Sequence, residues 1–527
     1  MTHPYKHKNP RIKALFFFFR GLLYTAMAAF GIGLFRTRQA FSGTDISTLR
    51  YYFDLLKDEF EIQRVTGLRS LFTTYSVLSD TASASLKWAI PFAILYFILW
   101  GLAGLRRTRL VLHLRTRRRD LCLPLTDKLP SLCLLRRGVV LLLTFALLSI
   151  AFTVHLPQFL YLQTQESQIY DEDYVDPQPA DIRFPSQKQN LIHIYLESIE
   201  TTYEDSSSGG TWPVNLIPQL TALSNENISF SNLVSLIGTD YTSGALVAQT
   251  AGLPINREVS KYSVNGEFLP YAYTLHDILA DEGYRQIFMC GSDGDFGART
   301  LYFNSHGPTE VLDYNTAVQQ GIVPDGYRED VGGWGLRDYL LLDWAKSVLE
   351  ELSKNDQPFA LSLLTVDTHF YDGVLCDYCT DEMDSQYENV IRCSDRLVSA
   401  FVRWCQEQPF YENTTIVISG DHPTMDFNFV SEHTRQLNDR GVYTCIIHPY
   451  GDLTPATTRT REASTFDIFP TTLAALGAQW NGDQLAFGVN LFSDAPTLVE
   501  QKGRDTLNLQ LQMPADTYMR RFYHTDN

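Results

Sequence analysis

The chain has no surplus of positive charge. Its 527 residues carry 43 Lys and Arg against 60 Asp and Glu, a formal net charge of -17, which argues against a nucleic-acid binder, since such proteins carry basic faces to neutralise phosphates. No internal repeat or low-complexity tract runs through it, so a stacked-repeat architecture is excluded. No small-residue cleavage site follows Phe35, which argues against reading the first apolar run as a removable secretion signal. Cysteines are few, 8 in all. Cys376 and Cys379 form a single Cys-x-x-Cys without a second pair at zinc spacing, which by itself specifies neither a zinc nor a redox motif.

What is present begins with three apolar runs, at about 14–35, 88–105 and 138–156, each close to the length that crosses roughly 30 Å of hydrocarbon. Arg20 interrupts the first, which costs a few kcal/mol at mid-membrane unless the guanidinium snorkels or meets a partner helix. Lys6, Lys8, Arg11 and Lys13 precede that run, and a loop dense in arginine (Arg106, Arg107, Arg109, Arg115, Arg117, Arg118, Arg119), closed by Arg136 and Arg137, separates the second run from the third. Positive charge flanking spans marks the cytoplasmic side. An odd number of spans then delivers the residues from about 158 onward to the periplasm or the cell exterior.

The segment 36–86 would face the same way; its Tyr51, Tyr52, Phe53, Leu55 and Leu56 suggest an amphipathic helix on the membrane surface or a packed linker helix. Cys290, Cys376, Cys379, Cys393, Cys405 and Cys445 lie in the outward part, an even number in an oxidising compartment, so disulfides are expected there. The predicted organisation is a membrane domain at 1–157, a polar, acidic linker at 158–187 and a catalytic domain at 188–527.

Within that last part, buried-strand runs at 190–196, 286–289, 359–364 and 415–419 alternate with helical patterns at 218–225, 271–282, 336–352 and 386–408. Such alternation predicts an α/β sandwich around a mainly parallel sheet, with ligands gathered beyond the carboxyl ends of the strands. Two acidic groups stand at such ends: Glu197 after the first strand, and Asp421 with His422 after the last. Together they offer mixed oxygen and nitrogen ligation suited to Mn2+ or Zn2+. Between them, the stretch 238–248 (GTDYTSGALVA) reads as a turn opening into a small-residue helix. Thr239 or Thr242 there is either an N-cap or a hydroxyl whose pKa a metal and the helix N-terminus lower enough to make it a nucleophile.

Five segments in order, LESIE (196–200), GTDYTSGALVAQTAGLP (238–254), SGDH (419–422), FDIFPT (466–471) and FGVNLF (487–492), resemble the lipoteichoic acid synthase and phosphoglycerol transferase I family, a sulfatase-like branch of the alkaline phosphatase superfamily. The likeness runs over roughly 188–495. It implies N-terminal transmembrane helices followed by a sulfatase-like α/β sandwich, although the lipoteichoic acid synthases look to carry five spans where three are legible here. It further implies that Glu197, Asp421 and His422 hold one divalent metal ion, Mn2+ foremost with Zn2+ or Mg2+ as alternatives, and that a threonine is both fourth ligand and nucleophile. Thr242 directly precedes Ser243 and the small-residue helix, as the family's nucleophile does; Thr239 better matches the ungapped distance to Gly252-Leu253-Pro254.

By the same resemblance His369 stands on the substrate side, Arg299 contacts the phosphoglycerol, and Asp293 and Asp295 approach glycerol hydroxyls. The implied reaction moves phosphoglycerol from phosphatidylglycerol to a periplasmic or cell-surface glycan, an osmoregulated glucan being the favoured acceptor. The partners are then a donor lipid, a glycan and the membrane, with no nucleic acid. The alternatives are a phosphoethanolamine transferase acting on lipid A or a glycan, and an inactive sensor that kept the fold. No Cys-x-Pro-x-Arg segment is present to mature into formylglycine, which disfavours a sulfatase activity.

Overall fold

The computed structural model describes residues 10–37, 89–104, 111–115, 120–124, 131–153, 156–162, 164–256, 263, 266–324, 327, 334–434, 440–454 and 460–523. The amphipathic segment expected within 36–86 lies almost wholly outside them. The chain divides into two compact units, Met1–Gln163 and Thr164–Asn527.

In the first unit the apolar runs form helices at Pro10–Thr37, Ala89–Gly104 and Leu132–Thr153. Among the described residues one stretch, Leu132–Ser149, is long and apolar enough to cross a membrane; Phe18–Ile32 and Ala89–Gly104 are shorter apolar helices. Small residues let these helices approach closely, since a Cβ on Gly21 would meet the Trp100 ring at 2.8 Å. Their outward faces expose Phe19, Leu95 and Leu141, a patch that water solvates poorly. The third helix starts earlier than the sequence suggested. Arg136 and Arg137 belong to its early turns rather than to the preceding loop, because the Arg136 guanidinium lies over the rings of Trp100 (5.3 Å) and Tyr24 (5.7 Å) and is drawn into the helix packing. The rest of the basic loop contains an antiparallel pair, Val111–Arg115 with Asp120–Pro124.

The second unit is built on a six-stranded sheet. In chain order its main elements are β1 (Asn190–Leu196), α1 (Pro218–Glu226), α2 (Thr242–Ala251), α3 (Leu275–Asp281), β2 (Arg285–Cys290), α4 (Arg299–Ser305), β3 (Thr309–Leu312), α5 (Asp338–Leu352), β4 (Phe359–Leu364), α6 (Gln386–Gln406), β5 (Thr414–Gly420), β6 (Thr444–Ile447) and α7 (Ile468–Ala475). The strand order is β3-β2-β4-β1-β5-β6, parallel throughout except for the antiparallel edge pair β5 and β6.

Successive strand residues point to opposite faces, and the core divides accordingly. Leu191, Tyr195, Phe288, Leu364 and Val417 pack with α2, α3, α4 and α7, while Ile192, Ile194, Met289, Leu363 and Ile418 pack with α1, α5 and α6. Burial on both faces explains why these strands read as continuous apolar runs. The helix expected from residue 271 begins at Leu275, where Thr274 and Asp277 form a capping box.

The stretch read as a linker is ordered structure from residue 164 onward. Tyr170 is buried with its ring 5.3 Å from both Phe487 and Tyr518, and Val175 and Arg183 exchange backbone hydrogen bonds with Ala486 and Gln479. Its acidic composition hid the few aromatic anchors that tie it down. The expected disulfides do not form either. Cys290, Cys376, Cys379, Cys393 and Cys405 are free thiols; Cys290 and Cys405 are buried in apolar surroundings, and Cys445 Sγ donates to Leu223 O at 3.5 Å.

Candidate active site

The register of the sheet builds the site. Leu196 of β1 pairs with Gly420 of β5, so the next residue of each parallel strand, Glu197 and Asp421, emerges at the carboxyl end of the sheet about one strand spacing apart. Gly420 permits this, because a Cβ there would lie 2.1 Å from the Ile199 carbonyl oxygen. Ser198 then turns back with a left-handed φ of 55°, which aims its N–H at Asp421 Oδ1 (2.8 Å). The His422 N–H donates to the same oxygen at 2.7 Å. With Oδ1 held by two backbone donors, Asp421 Oδ2 is left buried without a hydrogen-bond partner.

His422 is oriented just as firmly. Its Nδ1 lies 2.9 Å from the Pro423 carbonyl; a carbonyl only accepts, so Nδ1 carries the proton and Nε2 presents a lone pair. That lone pair faces Asp421 Oδ2 at 3.4 Å and Glu197 Oε1 at 3.8 Å. One donor atom from each of Glu197, Asp421 and His422 falls within 4.8 Å of the others, and all three residues are buried.

Buried lone pairs converging in this way repel unless a cation lies among them. The protonation behaviour says the same thing. Burial, followed by the charge of Glu197, pushes the Asp421 carboxyl up to about 7. Burial alone would lower His422, but the charges of Asp421 and Glu197 raise it. The orphaned Oδ2, the bare Nε2 and the Glu197 carboxylate make a donor set that fits a divalent metal ion.

Thr242 opens α2 at its first turn, after an extended Tyr241. Its Oγ1 lies 3.3 Å from Glu197 Oε2 and 3.5 Å from His422 Nε2. Two contacts seat the helix. Gly244 passes so close to the preceding turn that a Cβ would meet the Gly238 carbonyl oxygen at 2.5 Å. Gln249 bridges to β5, donating to Gly420 O and accepting from Ser419 Oγ. Thr239, three residues earlier, is placed quite differently. Its buried hydroxyl donates to Leu236 O at 2.9 Å while accepting from Leu236 N at 2.9 Å and Thr465 Oγ1 at 3.1 Å, so it is spent inside the turn.

His369 follows β4 on the 365–369 turn. Its Nδ1 donates to Phe370 O at 2.7 Å, leaving Nε2 available, and the ring interacts electrostatically with Glu197. Its ring also packs 4.4 Å from that of Trp334, a half-exposed residue that sequence reasoning missed; a lone Trp in the run Gly-Gly-Trp-Gly was the available signal.

Arg299 is buried rather than on the surface. It donates to Ser292 Oγ (2.9 Å) and Asp293 O (2.7 Å), and its Nε is left without a partner. The loop before it reaches the N-terminus of α2, where Ser243 Oγ donates to Gly297 O at 2.9 Å. Asp293 and Asp295 are exposed on that loop, and Asp293 Oδ1 is occupied in accepting the Asp295 N–H at 2.9 Å. Thus Glu197, Thr242, Asp421 and His422 come together, His369 stands beside them, and Arg299 supports the adjoining loop.

The Sulfatase family model matches residues 189–478, and the chain belongs to that family; the mainly parallel α/β sandwich is its fold. Among curated relatives it is similar to phosphoglycerol transferase I of Escherichia fergusonii (36% identity over 251 residues, 46% of this chain and 32% of the relative) and of Xanthomonas axonopodis pv. citri (33% over 319 residues, 59% and 43%). The chain therefore spans about a third of the length of the first of these relatives. Solved structures that resemble it include an alkaline phosphatase superfamily protein from Vibrio parahaemolyticus (20% identity, TM-score 0.48, 65% of this chain and 80% of that one). The lipoteichoic acid synthase LtaP from Listeria monocytogenes is another (18% identity, TM-score 0.47, 64% and 81%).

Proposed function

We propose that the chain is a metal-dependent, membrane-anchored phosphotransferase that moves phosphoglycerol from phosphatidylglycerol to an extracytoplasmic glycan through Thr242. The observation that carries this reading is the placement of Thr242 Oγ1 at 3.3 Å and 3.5 Å from two of three convergent donor residues. Glu197, Asp421, His422 and Thr242 would hold a divalent ion, Mn2+ foremost, which would supply positive charge that favours the threonine alkoxide and screens the phosphate.

Thr242 attacks the head-group phosphorus as the alkoxide, its hydroxyl proton having been lost to solvent beforehand, and the second half returns it to that state. The new Oγ–P bond forms as the P–O bond to diacylglycerol breaks, and protonated His369 Nε2 donates its proton to the departing oxygen. In the second half, neutral His369 Nε2 takes the acceptor hydroxyl's proton, the acceptor oxygen bonds to phosphorus, and the Oγ–P bond breaks. The Nδ1–H bond to Phe370 O keeps the ring's reactive nitrogen turned outward through both halves. Arg299 holds the loop at the nucleophile's helix N-terminus and offers guanidinium N–H to the phosphate.

A lipid donor accords with an apolar N-terminal unit, and the curated relatives named phosphoglycerol transferase I favour phosphoglycerol over phosphoethanolamine as the group moved. The test incubates the chain with Mn2+ and phosphatidylglycerol labelled in its acyl chains. Labelled diacylglycerol should appear with the native chain and not with Thr242→Ala; release from phosphatidylethanolamine alone would favour the phosphoethanolamine reading.

A further inference from the structure

A second group of donor atoms lies apart from the carboxylates and uses different chemistry. Cys376 and Cys379 leave the loop that follows β4, and Cys393 faces them from α6. Cys376 Sγ is 3.6 Å from Cys379 Sγ and 3.6 Å from Cys393 Sγ, and all three sulfurs fall within 4.8 Å of one another. The sequence offered only the Cys-x-x-Cys; the fold supplies the third thiol, 14 residues further along the chain and buried.

We infer that Cys376, Cys379 and Cys393 form a thiolate site for one zinc-class metal ion, which fastens the His369 loop to α6. Tetrahedral zinc with metal–sulfur bonds of about 2.3 Å holds its thiolates about 3.8 Å apart, which the 3.6 Å separations nearly match. A disulfide needs its sulfurs about 2.05 Å apart. The Cys376 N–H donates to Cys379 Sγ at 3.3 Å, and the Cys379 N–H to Cys376 O at 3.0 Å, a turn that already presents both sulfurs to one point. Asp367 is buried with Oδ1 unpartnered and lies near enough to interact electrostatically with Cys376 and Cys379. A cation among the thiols compensates this concentration of acceptors.

The site can be tested on the full chain, purified under reducing conditions, stripped of metal and titrated with Co2+. An intense near-ultraviolet sulfur-to-cobalt charge-transfer band is expected, retained in Glu197→Gln and lost in Cys379→Ser. Because a cysteine variant can fail to fold, the unsubstituted chain is also alkylated with and without Zn2+, and the modified cysteines are mapped by mass spectrometry. Protection of Cys376, Cys379 and Cys393 together supports the site. No charge-transfer band, equal alkylation with and without Zn2+, or a stable disulfide within the trio overturns it.

Discussion

The two donor clusters of the C-terminal unit differ in how they are made. Glu197, Asp421 and His422 stand on strand ends whose register is fixed by the sheet; Asp421 and His422 are aimed by hydrogen bonds with the backbone, and the Glu197 carboxylate accepts from the Ser198 hydroxyl. Cys376, Cys379 and Cys393 are brought together by one loop and one helix. Hard oxygen and nitrogen donors beside a hydroxyl suit Lewis-acid chemistry on a phosphate, whereas soft thiolates without a neighbouring nucleophile suit a strut. A cluster's chemistry therefore follows from its ligand types and from what stands next to it, not from convergence alone.

The largest effect that sharpens this contrast is at Thr242, the proposed nucleophile. Thr242→Ala should lower diacylglycerol release by roughly a thousandfold or more with the melting temperature nearly unchanged, measured by acyl-label release and thermal unfolding. Glu197→Gln should cost activity on the order of a hundredfold or more and lose that site's metal, read by metal analysis, while the thiolate site still binds Co2+. Thr239→Ala makes the opposite split: it removes a buried hydroxyl that makes three hydrogen bonds and should cost about 1–3 kcal/mol of stability with activity per folded molecule retained.

A titration of the metal-free chain gives a smaller signal. Asp421 is protonated in the folded state up to about 7, above the roughly 3.9 of an unfolded aspartate. Its raised folded pKa means stability is full below the unfolded value, declines as pH rises toward 7 and is level beyond. Metal affinity should climb over that same interval as the proton is displaced. Asp421→Asn should remove this component from the melting profile between pH 4 and pH 7. Smallest of all, Arg299→Lys should raise the KM for phosphatidylglycerol about tenfold, the cost of losing a planar fork, with Co2+ binding at the thiols intact.

Much of the fold was legible because its central strands are buried on both faces and so read as apolar runs. β1, β4 and the strand-end acids at 197 and 421 lie where the sequence put them. β3 and β6 escaped because each has only four residues at a sheet edge, too short for periodicity to register. The choice between Thr239 and Thr242 was open in sequence terms, since both flank the same turn. It is the turn's internal bonding that occupies one hydroxyl and frees the other. The third cysteine and the packing of Trp334 on His369 depend on tertiary contacts over long separations, which no local pattern encodes.

The most direct measurement of the central claim is mass spectrometry of the chain quenched during turnover of phosphatidylglycerol without acceptor. The account predicts a peptide in which Thr242 carries an added phosphoglycerol group. Diacylglycerol release with Thr242 unmodified throughout, or with the adduct on another residue, would contradict it.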